Sequence, residues 1–227
     1  MKNLVLMTLV ALMGVVATNN ANAQDNVNVG REPVKLSGNV MFMSMTNSTL
    51  TGGFFSQNPA LRGMVTASYR DFSFTMMRNS DLLDATTGAN VFAFLPSYTK
   101  VWGNWSFDAA VEVDVFDYTK DLNLIAPEVT ITRKGVVNID LFLCYARTFT
   151  SQQDIYIVRP TVSKTYQGFT FRVYAWYVKW GNDRISFAGE ISKEIVPKLR
   201  VSVFMHFNNV NLSDRKEFGA VRLGYSF

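Results

Sequence analysis

From residue 34 to the end of the chain, apolar and polar residues alternate with a period of two. That period is the signature of strands with two chemically different faces, because successive side chains on a strand point to opposite sides. Leu199, Val201, Val203, Met205 and Phe207 share one face, while Arg200, Ser202, Phe204 and His206 share the other. The same split recurs in Val137, Ile139, Leu141, Leu143 and Tyr145 against Asn138, Asp140, Phe142 and Cys144, and in Trp105, Phe107, Ala109, Val111 and Val113 against Ser106, Asp108, Glu112 and Asp114. About twelve segments follow the pattern: 34–45, 61–70, 72–79, 90–102, 105–115, 127–133, 136–147, 154–165, 169–179, 184–193, 199–207 and 217–227.

The links alternate in length. Short ones fall at Arg70-Asp71, Gly103-Asn104, Lys134-Gly135, Gln167-Gly168 and Glu194 to Lys198, where Gly, Asn and Asp suit the positive φ of tight hairpins. Longer polar links run from Thr46 to Ala60, Ser80 to Ala89, Asp117 to Ala126 and Asn208 to Lys216, with shorter ones near Thr150 and Gly181. Short turns on one rim and longer loops on the other predict an all-β chain. The fold is a transmembrane antiparallel up-and-down β-barrel with short periplasmic turns and longer extracellular loops. Pro96 and Pro160 interrupt proposed strands and mark a bulge or an earlier strand end, so the count is twelve give or take two.

A soluble barrel would turn its apolar face inward. Here aromatics bracket the short turns, at Tyr69 and Phe72, Trp102 and Trp105, Tyr166 and Phe169, and Tyr225 and Phe227, as in a membrane-interface belt. The strands also run to about 9–12 residues, long enough to cross hydrocarbon when tilted. The apolar face therefore meets lipid and the ionic face lines a shared axis. No segment of 24–227 approaches 18 continuous apolar residues, which excludes a helical spanning protein despite 48% hydrophobic composition.

Met1 to Ala23 reads as a secretory signal: Lys2 supplies the positive start, Leu4 to Ala17 the apolar stretch, and Ala21-Asn22-Ala23 the small residues before a cut at Gln24. Residues 24–227 are then one outer-membrane domain, whose net charge falls from +4 to +3 with the loss of Lys2. So small a surplus, without a basic run, gives no support to nucleic-acid binding. The one cysteine, Cys144, cannot form an internal disulfide.

The segments Leu36-Ser37-Gly38-Asn39-Val40 and Phe55-Ser56-Gln57-Asn58-Pro59-Ala60-Leu61-Arg62-Gly63 resemble the opening of small porins of the TorF type. Tyr225-Ser226-Phe227 resembles the aromatic signal by which the barrel-assembly machinery recognises outer-membrane proteins, and Ala-Asn-Ala-Gln-Asp is similar to signal endings common in the Bacteroidota. The resemblance implies a small Gram-negative outer-membrane barrel among outer-membrane lipids and lipopolysaccharide. The chain departs from the porin pattern in its modest loops and in lacking a long constriction loop.

Charges facing lipid near the midplane would cost about 2–4 kcal/mol each for Arg or Lys, so they belong in the lumen. The expected network comprises Arg62, Asp108, Glu112, Asp114, Asp140, Arg159, Arg172, Arg184, Glu190, Arg200, His206 and Arg222. Acids concentrated on 105–115 and arginines on 169–207 hint at a transverse field. Phe142, Tyr174, Trp176 and Phe204 point the same way, suiting either bulky fill or, for Tyr174 and Trp176, stacking on a sugar ring. Met41, Met43 and Met45, with Met76 and Met77, are flexible apolar filler.

No motif predicts an enzyme. Outer-membrane phospholipases and lipid A deacylases pair His with Ser two residues on, whereas Asn208 follows His206. One His and one Cys give no metal spacing, although Asp108, Glu112 and Asp114 could bind a cation through oxygens. No cofactor is expected. The leading expectation is a porin-like passive channel for small solutes. The alternative is a plugged accessory barrel docked on a larger outer-membrane complex, and a remoter one is a hydrolase using His206.

Overall fold

In a computed structural model, which describes residues 33–47, 54–208 and 217–227, the chain closes into a single antiparallel barrel. The expected signal at 1–23 and most of the 208–216 link lie outside the described residues, as does part of the 46–60 link.

The barrel strands are β1 (Lys35–Met43), β2 (Ala60–Tyr69), β3 (Phe72–Asp81), β4 (Val91–Trp102), β5 (Trp105–Phe116), β6 (Leu124–Arg133), β7 (Asn138–Thr148), β8 (Asp154–Tyr166), β9 (Phe169–Trp180), β10 (Asn182–Val196), β11 (Leu199–Asn208) and β12 (Glu217–Ser226). Each pairs with its chain neighbours, and β12 returns to β1. A short ribbon of Thr46–Asn47 with Phe54–Ser56 caps the first long link, and one 3-10 turn, Lys120–Leu122, sits in another.

Parity sorts the faces as the alternation predicts. Along β11, Val203, Met205 and Phe207 are 49%, 56% and 53% exposed, while Phe204 and His206 are 2% and 1% exposed. In hydrocarbon an unpaired backbone group costs several kcal/mol, so a strand set of this kind must close on itself. The closing seam pairs Asn39 with Ser226 through Met43 with Arg222, extended by reciprocal Gly38–Phe227 backbone bonds of 3.0 Å.

Two expectations are corrected. Pro96 and Pro160 mark neither a bulge nor a strand end. Pro96 stays paired with Phe74, while toward β5 the ladder lapses between Phe94–Val113 and Ser97–Ala110 and resumes in unchanged register. Pro160 keeps Leu141 on one side and lapses between Val158–Tyr177 and Thr161–Tyr174 on the other. Pro127 behaves alike, which is why its strand starts at Leu124 rather than 127. Each proline lacks only its own N–H, so the loss is confined to one neighbour. The irregularity in the ladder falls instead between Glu194 and Val196.

The turn chemistry is also broader than expected. Positive φ is carried by Gly103 and Gly168, but equally by Arg70, Gln167 and Lys198. On the opposite rim β9 passes to β10 through Gly181 alone, at φ +72°, so that rim is not uniformly long-looped.

Gly38 faces outward beneath the Phe227 ring, and a Cβ there would overlap that ring and approach the Met64 carbonyl at 2.9 Å. Gly38→Ala should therefore lower barrel stability by about 1–3 kcal/mol. The check is the urea midpoint for loss of heat-modifiable gel migration, and Phe227→Ala in the same chain should recover part of the loss.

Candidate functional site

The lumen is stratified along its axis. Near the short turns its wall carries hydroxyls that bond across strands: Thr66 to Thr75 at 2.8 Å, Ser73 to Ser97 at 2.6 Å, Thr99 donating to Asp108 at 2.8 Å, and Thr165 to Thr170 at 3.0 Å. Near the loop rim the β6 to β12 side of the inner wall is largely apolar, whereas the β3–β4 side carries the buried polar residues Asn79, Asp81 and Asn90. Leu124 and Ala126, Ala146, Ile155 and Ile157, Val178 and Phe218 come from the loop-side ends of their strands and pack with Cys144, Trp176, Ala188 and Phe204. On that side the inner wall is packed with apolar side chains.

Between the two lies a charged belt around a cavity of about 350 Å³. Arg62, Arg159, Arg172 and Arg222 line it with Asp140, Thr130, Thr161, Phe142, Tyr174, Trp176 and Phe204. The guanidiniums lie on rings: Arg159 is 4.3 Å from the Phe142 centroid and 5.8 Å from that of Trp176, and Arg222 is 4.2 Å from Phe204. Stacking fixes a planar cation while leaving its N–H edges able to bond. Glu190 draws Arg172 and Arg222 together at 3.9 and 3.8 Å and accepts from the Tyr174 hydroxyl at 2.8 Å. Arg62 Nε donates to Asn79 Oδ1 at 3.3 Å. Behind the cavity surface, Glu112 and Asp114 are buried at 4% and 7% exposure.

No family model matches the chain, and no curated protein matches it. Solved structures do. A KdgM porin superposes with a TM-score of 0.61 at 11% identity, over 84% of this chain and 98% of that one. A NanC porin gives 0.57 at 13%, over 85% and 99%, and an outer membrane channel from Pseudomonas putida F1 gives 0.52 at 12%, over 89% and 98%. The fold is that of a porin-like outer-membrane barrel.

Of the residues expected to form the lumen network, the structure brings Arg62, Asp140, Arg159, Arg172 and Arg222 to one cavity with Glu190 behind them. All four expected aromatics line that cavity. Arg184 and Arg200 do not join the belt: they stand near opposite ends of β10 and β11, and Arg200 is exposed. The belt's arginines come from β2, β8, β9 and β12, a wider arc than 169–207. Asp108, Glu112 and Asp114 do not converge on a cation, and no group of three ligating side chains comes together among the described residues. Glu128 is not in the expected network although it lies within the expected strand 127–133, on the face of Thr130 and Thr132. It faces inward, half-buried, paired with Cys144.

His206 is walled by aromatic rings, 5.2 Å from Trp176, 5.9 Å from Phe204 and 5.0 Å from Phe218. Neither ring nitrogen has a hydrogen-bond partner among the described residues, so nothing there assembles a nucleophile and base.

Glu190 offsets two guanidiniums, so removing its charge leaves them facing each other. Glu190→Gln should destabilise the barrel by about 1–3 kcal/mol, read from urea unfolding in vesicles. Adding Arg222→Met should return much of it.

Proposed function

We propose that the barrel is a porin-like passive channel for small solutes in the Gram-negative outer membrane, with a preference for anions. The observation that carries this is the belt: the cavity wall presents four guanidiniums and one carboxylate, with hydroxyl-lined approaches on the short-turn side. A guanidinium on an aromatic face offers a carboxylate two parallel donors, and the neighbouring rings suit the flat side of a sugar. One structure of similar fold is a KdgM porin in complex with disordered oligogalacturonate, which supports a carboxylated saccharide as the solute class here. Kinship with TorF-type porins rests on Leu36–Val40 and Phe55–Gly63. In this reading Tyr225 and Phe227 serve assembly, and no step of the function is catalytic.

The apolar packing on one side of the loop half favours a second reading, an accessory barrel that docks on a larger outer-membrane complex without conducting. Planar-bilayer recordings separate the two. A channel should give small anion-selective steps. Trp176→Ala with Phe204→Ala should enlarge them severalfold, and Arg159→Glu should move the reversal potential toward cations. Silence from both the native chain and the widened variant would leave the accessory reading standing alone.

A further inference from the structure

Some cations of the outer wall are paired by the protein itself, Lys100 with Asp71 at 3.0 Å on the short-turn rim among them, and others are not. At the loop rim three outward cations have an acid beside them: Arg78 bonds Asp117 at 2.9 Å, Arg147 lies 3.9 Å from Asp154, and Lys179 is the register partner of Asp183. At the short-turn rim, Arg133, Lys164 and Lys193 point outward from β6, β8 and β10 and are exposed. None pairs with a described carboxylate. Their cross-strand partners are apolar: Arg133 faces Ile139, Lys164 faces Phe171, and Lys193 faces both Phe169 and Val201.

These three cations form one continuous arc. Phe169 and Phe171, with centroids 6.4 Å apart on β9, sit between Lys164 on one side and Lys193 on the other. Lys193 Nζ is 4.4 Å from the Phe169 ring, and Arg133 is 5.9 Å from that of Trp105. Lys164 and Lys193 flank β9 two residues out of step, at Phe171 and Phe169, which puts their backbones about 12 Å apart. An uncompensated cation on a lipid-facing wall is costly unless an anion meets it, and the interface is where long basic side chains reach such an anion.

We propose that this arc is a binding site for anionic phospholipid in the leaflet facing the short turns. The headgroup phosphate lies between Lys164 and Lys193, Arg133 two strands from Lys164 adds to the positive field, and the acyl chains lie over Phe169 and Phe171. Charge complementarity selects the occupant: the arc is cationic and apolar in alternation, which matches a phosphate joined to hydrocarbon and mismatches an acidic protein surface. The site rests on the barrel spanning a membrane and is independent of whether the lumen conducts.

The test uses the full chain reconstituted in phosphatidylcholine vesicles carrying trace spin-labelled phosphatidylglycerol or spin-labelled phosphatidylcholine. Motionally restricted phosphatidylglycerol should exceed phosphatidylcholine about fivefold, the effect of one basic contact at a charged surface. The preference should fall with salt. Arg133→Gln, Lys164→Gln and Lys193→Gln together should bring the ratio to about one while heat-modifiable migration is kept. Arg147→Gln with Lys179→Gln at the other rim should leave it unchanged. Equal restriction of both lipids by the native chain, or a preference that survives the triple variant, overturns the proposal alone. Absence of any restricted lipid overturns the barrel's place in the membrane and the proposal with it.

Discussion

Backbone hydrogen bonding in a medium without water is the constraint from which the rest follows. Hydrocarbon offers no partner to a stray N–H or C=O, so a strand set crossing it must close. Closure removes both edges, forces an even meander onto a chain whose ends meet on one rim, and makes parity the sole determinant of which side chains see lipid. The Gly38–Phe227 bonds and the Asn39–Ser226 seam are where that requirement is met last along the chain. The prolines mark its tolerance. A residue that lacks one donor costs the ladder one bond, and Pro96, Pro127 and Pro160 each keep their pairing on the other side.

What the alternation made legible was the face of each residue, because face depends only on whether a position is odd or even. Val203 and His206 are separated correctly by that rule alone, and so are Phe142, Trp176 and Phe204. Height along the axis was not legible. It depends on stagger between strands, which turns and pairing register set jointly, and no count along one strand supplies it. Arg159 and Arg200 both face the lumen by parity, yet one stacks on Phe142 and the other stands exposed near the Pro197–Lys198 turn. Glu128 is the converse case. Parity within 127–133 puts it on the face of Thr130 and Thr132, opposite Val129 and Ile131, so its inward direction is legible.

Stratification of the lumen is a tertiary product of this kind. No strand announces a polar end and an apolar end on its inner face. Stacked in register, however, Ser97 and Thr99 meet Ser73 and Asp108 at one end, while Ile155, Val178 and Phe218 gather at the other. The belt lies at the boundary, where guanidiniums can rest on rings and still meet carboxylates. A charge farther into the apolar half would lose its partners, and one nearer the short turns would be solvated by hydroxyls and water. The boundary is thus the height at which a cation is both held and usable.

The outer wall repeats that sorting with opposite consequences. Inside, Glu190 compensates two arginines and the belt becomes a fixed structure. Outside, Arg78, Arg147 and Lys100 have acids of the protein beside them, while Arg133, Lys164 and Lys193 are left to whatever the membrane supplies. Side chains of one type therefore do different work according to whether the protein itself provides the counter-charge. Where it does, the charge fixes geometry. Where it does not, the charge is a demand on the surroundings, and a leaflet containing anionic headgroups meets that demand at the depth where the aromatic rings already hold the barrel.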